Sequence, residues 1–163
     1  SPLGDGGSDV GSSDLDDSGG DSRIDAAYRR LGIGGQGGDV YVRVDQEVLG
    51  SNDGQYAFQF PLATNHLFQG WADQFLTTPR QGIRDMYVSA GAKIEKAQLL
   101  AEYHHFKSDF DSIDFGREAD VGVGYALTPK LQGKVEYADY RAGDAVSGKV
   151  NLTRVWATLI YNY

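Results

Sequence analysis

The chain has 163 residues and no cysteine, so it is sized for one domain and offers neither a disulfide framework nor a thiolate metal site. Of its net charge of −8, six negative charges fall in residues 1–22, which hold no Lys or Arg; the remainder carries −2, and no basic patch suits nucleic acid. No apolar run approaches the roughly 18–20 residues of a membrane-spanning helix, but a mean hydropathy of −0.41 says little about strands, of which only every second residue faces lipid.

The 22 Gly, 10 Tyr and 7 Phe, against one Met and four Pro, favour β structure with many turns. No signal peptide is visible, so the sequence reads as a mature form or a fragment. Residues 1–22 are Gly, Ser and Asp with almost nothing to bury, and are expected to form a flexible, disordered acidic loop or tail. Asp5, Asp9, Asp14, Asp16, Asp17 and Asp21 have the hard oxygens calcium takes, but neither the EF-hand spacing nor an RTX-type repeat.

From residue 23 to 163 the expected architecture is all-β: the strands of an antiparallel up-and-down transmembrane β-barrel, or its C-terminal part. A weaker strand over 23–31 has Ile24, Ala26 and Tyr28 on one side, and the GGQGG of 34–38 is a turn. Val40, Val42, Val44 and Val48 then alternate with Tyr41, Arg43, Asp45 and Glu47, which is the period of a half-buried strand. A long external insert follows over 50–84, in which Leu67, Trp71 and Phe75 at i, i+4, i+8 suggest a short helix over 65–75 with Pro79 helping to stop it. A segment this aromatic is a candidate to fold inward, with Trp71 and Phe75 as a possible constriction; packing on the rim or forming an extra hairpin is the alternative.

Five further runs alternate over 85–94, 97–104, 118–127, 131–138 and 154–163. Their length matches the roughly 9–11 residues of a tilted membrane-crossing strand. The connections alternate as well: 94–96 and 128–130 are tight, while 107–116 and 141–150 are long and polar, as short periplasmic turns and long external loops do. One face carries Val, Leu, Ala and Tyr; the other mixes charge, Gly and hydroxyls. Tyr103, Tyr125, Tyr137, Tyr161 and Tyr163 fall on the apolar face near strand ends, where interfacial girdles place such rings.

No nucleophile constellation appears, and catalysis is not expected, although Glu102, Asp120 and Glu136 share the polar face of neighbouring strands. No cofactor is expected. Adjacent His104 and His105 point to opposite faces and His66 stands alone, so no zinc site is expected either. The lumen-facing cations are Arg43, Lys93, Lys134 and Arg154, which suit an anionic solute; pairing with Glu47, Asp85, Glu102, Asp120 and Glu136 on the same face is the competing role.

The stretches FQFPLATNHLFQGWADQFLTTPRQGIRDMYVSAG (58–91), LLAEYHHFKSD (99–109) and KVEYADYRAGD (134–144) resemble the alginate-export family of outer-membrane channels, over about residues 39–163. The ending on Tyr161 and Tyr163 is similar to the C-terminal signal for barrel insertion, departing from it in Tyr for Phe and in Thr158 where Gly is common. The resemblance implies a bacterial outer-membrane location, lipid around the barrel, and a passive channel for an anionic polysaccharide or small organic anion. Seven strands would start on the external side, whereas such barrels have an even number. The expectation is therefore a C-terminal piece, its edges completed by missing upstream strands or by further copies of itself in an oligomer or filament.

Overall fold

The computed structural model describes residues 7–18, 25–59 and 69–163. Among the described residues ten strands form: β1 (Gly7–Ser18), β2 (Asp25–Gly37), β3 (Val40–Leu49), β4 (Ser51–Asn52), β5 (Tyr56–Ala57), β6 (Ile83–Ile94), β7 (Ala97–Lys107), β8 (Asp114–Thr128), β9 (Leu131–Ala142) and β10 (Leu152–Tyr161). Eight of them make one antiparallel sheet in the order β1-β2-β3-β6-β7-β8-β9-β10, so each main strand lies beside its neighbour in sequence. β4 and β5 form a small separate ladder. Among the described residues the only helical element is one 3-10 turn, Ala145–Ser147, and no helix is long and apolar enough to cross a membrane.

Two expectations are corrected here. The acidic N-terminal segment is not flexible throughout: Gly7–Ser18 forms β1, paired along its length with β2 from Gly7↔Gln36 to Ser18↔Asp25. The pairing uses backbone groups, which every residue carries, and small Gly and Ser side chains do not obstruct it. Residues 1–6 and 19–22 of that segment lie outside the described residues. The short helix expected over 65–75 does not form at 69–75, and 65–68 lie outside the described residues. Gln69, Gly70 and Asp73 have φ of 54°, 82° and 56°, the left-handed region, which a right-handed helix cannot contain.

Among the described residues β1 makes the main sheet eight-stranded rather than seven-stranded, and the parity changes. Gly7 pairs with Gln36, beside the turn at 38–39, and Tyr161 pairs with Leu131, beside the turn at 129–130. The start of β1 and the end of β10 therefore lie at the same end of the sheet as the short turns. The long connections leave and rejoin the sheet at the opposite end, after Leu49, Lys107 and Ala142. Successive short turns are also stepped. Val40, at one turn, pairs with Ala92, and β6 runs two residues further to Ile94 before the next.

Burial is inverted relative to a water-soluble sheet. Val40, Val42, Val44, Met86, Val88, Val121, Val123, Val155 and Leu159 are exposed on the outward face, and Val135 is 54 % exposed. Asp45, Glu47, Asp85, His104, Glu118 and Glu136 are buried on the inward face, and Asp120 is 1 % exposed. The apolar core lies on the inward face too, where Trp71, Ala72 and Phe75 from the β5–β6 connection meet Phe106, Phe115, Ala138 and Tyr140.

Candidate functional site

The inward face is organised by the connection that enters it. From Gln69 to Gln74 that segment is held by side chains from strands far apart in the sheet. Gln69 Nε2 donates to Glu47 Oε2 on β3 at 2.9 Å. Trp71 Nε1 donates to Glu102 Oε2 on β7 at 2.8 Å, and the Ala72 N–H donates to Glu118 Oε1 on β8 at 2.6 Å. Arg154 on β10 donates to Asp73 Oδ2 at 2.6 Å. So short a segment engages strands from β3 to β10 because the sheet wraps around it.

Glycines make the approach possible. A Cβ on Gly122 would stand 3.0 Å from the Trp71 ring, and one on Gly70 would stand 2.7 Å from the Glu118 carboxylate. Gly70 is also at φ +82°, a conformation other residues adopt at a cost of about 1–3 kcal/mol. Gly70→Ala is therefore expected to lower stability by about that amount and to weaken the near-ultraviolet dichroism of Trp71. Gly37→Ala, whose Cβ would meet nothing within 4 Å, is the control; equal effects in both variants would refute the close approach.

Above the acidic tier, towards the long loops, Phe75 packs tilted against Phe106 with centroids 4.7 Å apart and lies 5.8 Å from Phe115. The Lys149 ammonium sits 4.5 Å from the Phe75 centroid and donates to the Gln74 carbonyl at 2.6 Å. Burial there holds Lys149 below the usual lysine range. Tyr140 donates its hydroxyl proton to the Phe115 carbonyl. Below Trp71, towards the short turns, lies a cavity of about 470 Å³ whose lining includes Gln36, Tyr41, Lys93, Gln98, Gln132 and Lys134.

The six residues singled out from the sequence all lie on this face or its infolded segment. Trp71 and Phe75 are buried within it. The cations, however, do not form a free ladder. Arg43 pairs with Asp45 at 3.2 Å, Lys134 with Glu136 at 2.6 Å, and Arg154 with Asp73. Lys93 and Lys134 line the cavity. Sequence reasoning placed Glu102 and Asp120 on the inner face but missed their convergence on His104. Glu102 and Asp120 are register partners, and His104 follows Glu102 on the same face. Its Nδ1 lies 2.8 Å from Asp85 Oδ2.

Compared with known proteins, the chain matches no family model, no curated protein and no solved structure.

Proposed function

We propose that this chain is a wall and lumen segment of a bacterial outer-membrane β-barrel channel, of the alginate-export type its sequence resembles, passing anionic saccharides or small organic anions. The observation that carries the reading is the inverted burial: exposed valines and leucines outside, buried carboxylates inside, along eight antiparallel strands. A water-soluble sheet would have to bury that outer face against a further layer, which none of the described residues supplies, whereas lipid suits it as it stands. The tyrosines support the same reading. Tyr103 and Tyr137 border the polar His105 and Asp139 at the upper edge of the band, and Tyr125 and Tyr161 lie towards the short turns; all are exposed outward.

The segment is read as part of a wider barrel. The interior of an eight-stranded barrel is just filled by its own side chains, but this face also holds Gln69–Phe75. The outer edges of β1 and β10 have no strand partner among the described residues. Further strands, upstream in the chain or from other copies, would close the wall. The cavity under Trp71 offers a solute the amides of Gln36, Gln98 and Gln132, Tyr41 and the charged Lys93 and Asp39, beside the apolar Ala92, Leu99 and Leu100; Lys134 also lines it, paired with Glu136.

The absence of native cysteine makes the test direct. In vesicles, Val135→Cys is expected to react with a membrane-phase thiol reagent and resist a water-soluble one, with Lys93→Cys showing the opposite. Val135→Cys reacting freely with the water-soluble reagent would overturn the membrane reading. Trp71→Ala is expected to raise single-channel conductance about twofold or more by opening the cavity roof; unchanged conductance would remove Trp71 from the constriction. The two open edges also favour a second reading, in which copies join edge to edge into a β-rich polymer. Long particles in the absence of detergent mark that outcome.

A further inference from the structure

The middle tier of the inward face brings the Nε2 of His104 against two carboxylates, Glu102 and Asp120. Asp85 Oδ2 lies 2.8 Å from His104 Nδ1 and holds the ring so that Nε2 is the nitrogen turned towards the neighbouring carboxylates, where a metal ion takes the place of a proton on Nε2. Nε2 faces Glu102 Oε2 and Asp120 Oδ2, each at 3.8 Å, too far for a hydrogen bond. Nε2 and both Asp120 oxygens are buried without a hydrogen-bond partner, as is Glu118 Oε2. His104 is 4 % exposed, so bulk water does not satisfy these atoms, and leaving them unpaired is costly. Neighbouring cations are engaged elsewhere: Arg43 on Asp45 and Lys134 on Glu136.

We propose that Glu102, His104 and Asp120 form a binding site for a divalent transition-metal cation, with Zn²⁺ the ion that fits best. Their ligand atoms all lie within 4.8 Å of one another. The two 3.8 Å separations are close to the roughly 3.4 Å between ligands held about 2.1 Å from one tetrahedral ion. One imidazole with two carboxylates suits zinc or manganese better than the all-oxygen cages of calcium and magnesium. Asp85 is then a positioning residue, the outer member of a carboxylate–histidine–metal triad. The Trp71 indole N–H orients Glu102 in the same way. A bound cation also supplies the positive charge that Glu102, Asp120 and Glu118 lack. The site ties the infolded segment to β7 and β8, so metal occupancy stiffens the constriction.

The test uses the intact chain in detergent, stripped with a chelator that is then removed, and titrated with Zn²⁺ by calorimetry and with Mn²⁺ by electron paramagnetic resonance. One Zn²⁺ per chain is expected, with a raised thermal midpoint. His104→Gln and Asp120→Asn are expected to lower Zn²⁺ affinity at least about tenfold, and Asp85→Asn about 10–100-fold. Asp139→Asn, on the outward face, should bind as the parent does. Asp120→Asn also separates binding from folding: it removes a buried charge, so its metal-free midpoint should equal or exceed the parent's while the Zn²⁺-induced rise disappears. Glu102→Gln, at a half-buried position, serves if His104→Gln does not fold. A thermal midpoint indifferent to Zn²⁺, as a cluster satisfied by protons alone would give, overturns the proposal. Zn²⁺ uptake unchanged in Asp120→Asn and Glu102→Gln overturns it equally.

Discussion

Replacing Val121 with arginine is expected to destabilise the protein in a lipid bilayer by about 2–4 kcal/mol, the cost of a lipid-facing cation near the bilayer midplane. Val121 lies outward in the middle of β8, between Ala101 on β7 and Tyr137 on β9. It is half exposed, so none of the described residues covers it. Were this face bathed by water, the same change at an exposed position would fall within about 0.5 kcal/mol. The two environments thus predict effects several-fold apart for one substitution. Urea unfolding from vesicles measures it, with Arg117→Ala as the control, because Arg117 lies two positions along the same face in a row with His105 and Arg141. A loss below about 0.5 kcal/mol for Val121→Arg in vesicles would remove lipid from the account of this face.

The faces were legible in the sequence because a strand's period of two states them directly. Val40, Val42 and Val44 point out, while Arg43, Asp45 and Glu47 point in, on both the pattern and the fold. The short turns at 95–96 and 129–130 were legible for the same reason: alternation stops and resumes around them. β1 was not legible, since GSDVGSSDLDDS carries no apolar alternation and its pairing rests on backbone groups supplied by the open edge of β2. The 65–75 segment misled because its aromatic spacing is helical. Backbone angles at Gln69, Gly70 and Asp73, and bonds from Trp71 and Ala72 to Glu102 and Glu118, decide its path instead. The cluster around His104 was half legible. Glu102 and His104 share a face by spacing, but what stands opposite them depends on the β7–β8 register. The 108–113 loop and the irregularity at Phe106/Lys107 set that register, and local patterning does not encode it.

The second large effect is expected at Phe75, where substitution by alanine should release the infolded segment without unfolding the sheet. Phe75 is buried against Phe106, Phe115 and Tyr140, and truncating a buried Phe costs about 3–5 kcal/mol. The Lys149 ammonium above the ring loses its aromatic face as well, a further contribution of about 0.5–2 kcal/mol. Little of this falls on the strands, whose ladders rest on backbone hydrogen bonds, so the loss appears as local opening. At about 1.4 kcal/mol per tenfold, a 3–5 kcal/mol loss raises the open population by roughly two to four orders of magnitude. Hydrogen exchange at the Ala72 N–H, which is bonded to Glu118, reads that opening, and proteolysis at Arg80 reports it independently. Leu76→Ala, at a neighbouring residue that is 57 % exposed, should change exchange by less than threefold. If Phe75→Ala behaves like Leu76→Ala while strand amides stay protected, the aromatic contacts do not hold the segment. The hydrogen bonds that the segment donates to Glu47, Glu102 and Glu118, and those it accepts from Lys149 and Arg154, would then carry its docking.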